Sequence, residues 1–274
     1  MGKNSIISSK KVRQKYLSSR SINGWFSQEA ATLISCIDAY QKDRDIRGDI
    51  FEIGVHHGKS SVFMAGLLRP DEQLSVCDIF DDQTRNESVS GKGDEQIFHA
   101  NMKKVLPAER IRVFKKYSTE LTPDEIGNKY RIFHIDGGHN CDEALSDLRL
   151  GAKTIVSGGV LVVDDPLRIP WPAVTEAIVL FLGENPNFGA FVLGFNKMCL
   201  AERSYVEDYG NLYTDKKTRE LAGIGYPYNF KKLRFCGEDL NIFYVHSTVD
   251  PDSLKSRAVR YIKARPKLAS LFGQ

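Results

Sequence analysis

The chain has no long apolar run, no paired cysteines and no marked excess of either charge. Each absence removes a class of protein. No stretch approaches the roughly 18–20 apolar residues needed to cross a bilayer, and the first residues lack the apolar core of a secretory signal. Gly2 fails as a myristoylation signal because Ile6 stands where Ser or Thr is required. The 5 cysteines (Cys36, Cys77, Cys141, Cys199, Cys236) show no C-x-x-C spacing, which fits reduced thiols and not a disulfide framework or zinc site. A net charge of +3 gives no general reason to bind nucleic acid, and no nucleic-acid module is legible. The expectation is a soluble, cytoplasmic protein.

Hydrophobic content of 42% over 274 residues suffices for one sizeable α/β core. Basic residues gather at both ends: Lys3, Lys10, Lys11, Arg13, Lys15 and Arg20 at the front, then Lys255, Arg257, Arg260, Lys263, Arg265 and Lys267. Such ends suit solvated tails, or a weak peripheral contact with an anionic membrane surface. Helix and strand patterns alternate between them. Gln28–Tyr40 reads as an amphipathic helix with Ser27 as N-cap. Short apolar strands follow at Asp49–Val55, Gln73–Phe80, Ile111–Lys115, Arg131–Ile135 and Val160–Val163, with helices at Lys59–Leu68, Asp94–Val105 and Cys141–Thr154 among them. A helix at Ala173–Leu182, a strand at Ala190–Leu200 and a last strand at Leu240–His246 complete the pattern. Apolar runs this continuous indicate a doubly wound, mostly parallel α/β sheet covered on both faces by helices. The expected division is a basic helical extension (1–47), one catalytic domain (48–247) and a basic C-terminal helix (248–274).

The strongest local signal is EIGVHHGKSS, Glu52 to Ser61, where a strand meets a helix through two glycines. Such a turn aims backbone N–H groups at a ligand. A P-loop needs four residues between its glycines, and Gly54 and Gly58 enclose 3. A dinucleotide fingerprint needs a glycine where His56 stands. S-adenosylmethionine (SAM) uses every polar group in place. Glu52 can receive its ammonium, Ser60 its carboxylate, and Asp78, closing the next strand, its ribose hydroxyls. Gly54, Val55 and Gly58 supply the turn.

The fourth and fifth strands end in His134-Ile135-Asp136-Gly137-Gly138-His139 and in Asp164-Asp165. Ligands of open α/β sheets bind beyond the carboxyl ends of the strands. Asp136, Asp164 and Asp165 should therefore converge beside the SAM turn. Carboxylates so crowded call for protons or a cation, and hard oxygen donors favour Mg²⁺, Mn²⁺ or Ca²⁺.

The segment EIGVHHGKSS resembles motif I of the class I SAM-dependent methyltransferases, in their small-molecule O-methyltransferase branch. It is similar to catechol O-methyltransferase and, more closely, to macrocin- and mycinamicin-type sugar O-methyltransferases, over about residues 24–201. The resemblance implies a seven-stranded Rossmann-like sheet and O-methylation of a sugar, glycan or small-metabolite hydroxyl. It implies that Ser118 and Asp136 border SAM and that Asp136, Asp164 and Asp165 hold a divalent ion, Mg²⁺ in the first instance. It places His139 where relatives carry the residue that takes the acceptor's proton, with Asp136 beside it. A P-loop-like phosphotransferase or ATPase and a non-catalytic methyltransferase-like binding protein are the competing readings.

Other residues carry plainer expectations. His56 and His57 line the turn, and His134 is a satisfied core histidine. Asp142 and Asp147 are a first-turn charge and a solvated face. Trp25-Phe26 forms a core staple. Lys197, inside the sixth strand after Phe195-Asn196, is a surface charge or a pocket residue. Tyr205, Tyr209, Tyr213, Tyr226 and Tyr228 offer faces for a sugar ring or a dimer contact, which leaves a homo-oligomer open.

Overall fold

The computed structural model describes residues 8–245 except 83, 85, 87–90 and 226. Lys3, Tyr226 and the expected helix at 248–274 lie outside the described residues.

The chain enters through α1 (Ser9–Leu17) and α2 (Gln28–Asp43), and the Ser27 hydroxyl accepts from the Ala30 N–H as an N-cap should. The first half of the sheet is β1 (Asp49–Ile53), β2 (Leu74–Asp78), β3 (Ile111–Lys115), β4 (Tyr130–Ile135) and β5 (Ile155–Asp164). Between these strands lie α3 (Lys59–Ala65), α4 (Glu95–Met102), the single turn α5 (Pro123–Ile126) and α6 (Cys141–Thr154). Then come α7 (Pro172–Glu184), β6 (Phe188–Gly194), β7 (Lys197–Glu202), α8 (Arg203–Asn211), α9 (Lys216–Ala222), β8 (Asn229–Phe235) and β9 (Glu238–Tyr244). Among the described residues no helix is long and apolar enough to cross a membrane.

One nine-stranded sheet runs β3-β2-β1-β4-β5-β7-β6-β9-β8. Strands β1 to β5 are mutually parallel, and β7 runs antiparallel to both β5 and β6. The expected doubly wound α/β sheet is present, extended at one edge by the antiparallel β8–β9 pair. The pattern at Ala190–Leu200, read as one strand, is two. Phe195 and Asn196 both adopt positive φ (55° and 64°), the backbone of a tight two-residue hairpin, and the chain reverses there.

Strand alternation sorts the core into two layers. Ile50, Ile132, Val160 and Val162 face α1, α2, α3 and α8, while Phe51, Phe133, Leu161 and Val163 face α6 and α7. The Tyr-rich connection is largely core. Tyr209 and Tyr213 have no exposure, and their hydroxyls donate to the carbonyls of Gly158 and Leu33. Neither can stack on a sugar. Tyr228 donates to Glu29 at 2.6 Å. Tyr205 is half-buried beside Gly158, far along β5 from its carboxyl end.

The amino ends of the strands are locked by fully buried Arg131. Its guanidinium holds Glu72 through two 2.9 Å bonds, Gln41 at 2.9 Å and the Leu67 carbonyl at 3.0 Å, and pairs with Asp38 at 3.0 Å. That ties α2, β4 and the α3–β2 connection together and leaves the carboxyl ends free for a site.

Candidate active site

A cleft of about 370 Å³ opens at the carboxyl ends of β1, β2, β4 and β5. Of the residues singled out from the sequence, Gly54, Asp78, Ser118, Asp136, His139, Asp164 and Asp165 line it. Glu52, Val55, Gly58 and Ser60 do not.

Gly54 shapes one wall. Its N–H donates to the Cys77 carbonyl and the Asp136 N–H to the Ile53 carbonyl, both at 2.9 Å, so the ends of β1, β2 and β4 are zipped together. At φ +78°, a Cβ on Gly54 would lie 1.8 Å from the Asp136 carbonyl oxygen. Only glycine permits that approach. Asp78 crosses from β2 to brace the same turn: Oδ2 accepts from the N–H groups of Val55 (2.6 Å) and His56 (2.9 Å), and Oδ1 from Phe80 (2.6 Å). Asp78 thus borders the cleft while anchoring the loop. Gly58 caps α3 in the left-handed region and packs on Phe98.

Glu52 departs from expectation. The two-residue period of β1 puts it on the face of Ile50, under α3, with no exposure. There its Oε2 accepts from the Ser61 hydroxyl and its Oε1 meets His134 Nδ1 at 3.0 Å, directly across from it in the β1–β4 register. It therefore lies beneath the site instead of facing a SAM ammonium. Ser60 is also buried, and it is Ser61 that engages Glu52. His134 is only half satisfied: Nε2 finds no hydrogen-bond partner, and a ring nitrogen lies within 4.8 Å of carboxylate oxygens of Asp136 and Asp164.

The opposite wall carries the carboxylates. Asp136, crowded by burial and by the charge of Asp164, holds its proton well above the usual carboxylate range. Asp165 goes the other way. Burial pushes it up, but hydrogen bonds from His139, Asn196 and Arg168 outweigh this and hold it ionised. His139 Nε2 stands 2.9 Å from Asp165 Oδ2, and its ring lies against Trp171, centroids 4.4 Å apart. Lys197 is neither on the surface nor in the cleft. It is 1% exposed, below Asp164, with Nζ 2.6 Å from Asp164 Oδ2 and 5.7 Å above the Phe26 ring. Burial alone would lower its pKa, but Asp164 and Asp136 raise it. Sequence reasoning missed this lysine's role, and those of Asn196 and Arg168 as well.

Two further placements differ from expectation. Asp147 is fully buried on the α6 face behind Ser118 and Gly137, where burial pushes it up to about 7 against the pull of Ser118. The hydrophobic content of that face, Ala144, Leu148 and Gly151, turns it into the sheet. Asp142 is the exposed first-turn charge expected. Phe26 is core, but Trp25 is 71% exposed, packs on His56 and lines the cleft.

The turn does not behave as a P-loop. Lys59, which would reach the phosphates, instead donates from Nζ to the Gly24 carbonyl at 2.9 Å.

Comparison with known proteins agrees with this geometry. Residues 51–166 match a family described as a methyltransferase domain. No curated protein matches the sequence significantly. Among solved structures the chain is similar to the O-methyltransferase NovP (17% identity, TM-score 0.55), over 66% of this chain and 83% of that one. It is also similar to the methyltransferase PaMTH1 of Podospora anserina, bound to S-adenosylhomocysteine (13% identity, TM-score 0.50), over 70% and 87%. These likenesses fix the fold, a Rossmann-like class I sheet. The family match runs from β1 to the residue after Asp165, so it spans both the Gly54 turn and the carboxylate wall.

Proposed function

We propose that this chain methylates a hydroxyl of a small polar acceptor, with a sugar, glycan or small metabolite as the substrate class and His139 as the general base. The observation that carries the proposal is the His139–Asp165 pair at the cleft floor, 2.9 Å apart and facing the space that the Gly54 turn borders. The name of NovP, an O-methyltransferase, supports oxygen as the methylated atom. Two indoles, Trp25 and Trp171, line the cleft and offer apolar faces of the kind a sugar ring packs on.

SAM supplies a methyl group on a sulfonium, whose positive charge is neutralised when an oxygen displaces it. The residues present fit it. Gly54 lets the ends of β1 and β4 close into one wall of the cleft, and Asp78 and Ser118 border the same cleft. In the proposed reaction Asp165, ionised and braced by Arg168, fixes the His139 ring in place to take the acceptor's proton. Trp171, packed against the His139 ring, shields it from solvent.

The expected divalent ion fits less well. Asp136, His139 and Asp165 do offer ligand atoms within 4.8 Å of one another, as do His134, Asp136 and Asp164. Asp164 and Asp165, however, already accept from Lys197, Asn196 and Arg168. No step above runs through a metal.

The test is calorimetric titration with S-adenosylhomocysteine and, in parallel, Mg·ATP, followed by a screen of sugars and phenols with labelled SAM. Binding of S-adenosylhomocysteine without ATP, and label transferred to oxygen, is the expected result. ATP binding alone would return the turn to the phosphotransferase reading. Cofactor binding with no turnover on any hydroxyl would favour a non-catalytic role.

A further inference from the structure

We propose that Lys197, together with Asn196 and Arg168, takes the place of a divalent ion at the acceptor end of the cleft, so that methyl transfer by this chain is independent of metal. The proposal rests on the O-methyltransferase reading above and concerns how that site balances its charge.

The argument is a count of lone pairs. A carboxylate has about four lone-pair sites on its two oxygens. On Asp164, Oδ1 accepts from Asn196 Nδ2 at 2.6 Å and from the Asp165 N–H at 2.8 Å. Its Oδ2 accepts from Lys197 Nζ at 2.6 Å, and the Asp136 carboxyl is hydrogen-bonded to the same group. On Asp165, Oδ1 accepts from Arg168 Nη1 and Asn196 Nδ2, both at 2.7 Å, and Oδ2 faces His139 at 2.9 Å. Asp164 is saturated, and Asp165 keeps room for one bond on Oδ2. Mg²⁺ and Ca²⁺ require several unshared oxygens around them at once.

The donors cannot simply step aside. Lys197 is the cross-strand partner of Asp164 in the antiparallel β5–β7 register, so its backbone is held by the sheet. Its stem shares the core layer of Cys199 and Ala201 and its ammonium sits over Phe26. Expelling Nζ from Asp164 would leave a buried charge unpaired. Asn196 is held by the β6–β7 turn, whose two left-handed residues aim its amide back at both aspartates. An ion would have to break an ion pair built into the sheet. A fixed cation of this kind sets the charge of Asp164 and, through it, the geometry of Asp136 and of the Asp165 backbone. Lys197 does not line the cleft, so it is a positioning residue.

The experiment is a Mn²⁺ titration of the purified, EDTA-dialysed protein followed by electron paramagnetic resonance, with turnover measured in EDTA and in added Mg²⁺. The wild-type chain is expected to bind no stoichiometric Mn²⁺ with a Kd below about 1 mM, the weak end of carboxylate sites, and to turn over equally in both buffers. Lys197→Ala, which frees a carboxylate oxygen, is expected to gain one Mn²⁺ site at least roughly tenfold tighter than anything in the wild type. One equivalent of Mn²⁺ bound tightly by the wild-type protein, or turnover abolished by EDTA, overturns the proposal. So does a Lys197→Ala protein that keeps its native circular dichroism and takes no Mn²⁺. Should Lys197→Ala fail to fold, the wild-type titration decides alone. Binding of S-adenosylhomocysteine is scored separately, so failure of the methyltransferase reading is not mistaken for failure of this one.

Discussion

Replacing Gly54 by alanine tests whether the approach of two strand ends is what makes the cofactor wall. The left-handed φ of +78° costs an L-residue about 1–2 kcal/mol by itself. The greater cost is steric, because the new Cβ meets backbone and not a side chain that could rotate. It would stand 1.8 Å from the Asp136 carbonyl oxygen and 3.1 Å from the Gly137 nitrogen. The ends of β1 and β4 would have to part by about 1.5 Å to reach ordinary contact. That stretches the 2.9 Å bond from the Asp136 N–H to the Ile53 carbonyl, worth about 1 kcal/mol. A total of about 3–5 kcal/mol places Gly54→Ala among severe substitutions, and at about 2–4 °C per kcal/mol the melting temperature should fall by about 6–20 °C. Displacing the wall by about 1 Å should also weaken S-adenosylhomocysteine on the order of 100-fold. Differential scanning fluorimetry and calorimetry read the two effects. Gly183, helical and with nothing within 4 Å of a Cβ, is the control, and Gly183→Ala should gain up to about 1 kcal/mol. A Gly54→Ala protein that melts with the wild type and binds S-adenosylhomocysteine equally well would refute the reasoning.

Three other substitutions separate chemistry, pH and scaffold. His139→Ala should lower turnover roughly 10²–10⁴-fold at neutral pH with S-adenosylhomocysteine binding unchanged; an unaltered rate removes it as the base. Asp147 carries a folded pKa of about 7 against an unfolded value of 3.8. Stability should therefore be fullest below the unfolded value and decline as pH rises toward 7, by up to about 4 kcal/mol. Urea unfolding of Asp147→Asn should match wild type near pH 4 and exceed it at pH 8, and a pH-independent difference would count against the buried carboxyl. Arg131→Met strips the cation from Asp38 and Glu72 and should cost about 3–5 kcal/mol. Because that network lies at the amino ends of the strands, whatever protein folds should bind S-adenosylhomocysteine normally, and a changed affinity would show that the two ends of the sheet are coupled.

The sheet was legible because its signal is periodic and local. Continuous apolar strands between amphipathic helices leave little choice but a doubly wound sheet, and β3 and α6 fall at their predicted bounds. The strand-end acids were legible for the same reason: in a parallel sheet every β-to-α turn points to one edge, so Asp78, Asp136, Asp164 and Asp165 must gather there. The edge hairpin β8–β9 was half lost, since β8, NFKKLRF, is mostly exposed and has no apolar face to read.

What stayed hidden depends on parity or on pairing. Glu52 was assigned to the cofactor by its place in a motif, but a strand side chain obeys its face before its motif, and position 52 shares the face of Ile50. The same parity puts His134 beside Glu52, an adjacency between residues 82 apart that only the β1–β4 register reveals. Lys197 was hidden more deeply. Its meaning arises because Phe195, a bulky residue rarely found at positive φ, accepts it together with Asn196 and closes a tight turn there. Had the strand run on through Asn196, Lys197 would lie on an ordinary sheet position away from Asp164. The turn makes them cross-strand partners, and the acidic cluster acquires its cation from the strand next door. The charge balance of the site is thus a consequence of one hairpin register, which explains why the carboxylates alone suggested a metal and the folded chain supplies a lysine.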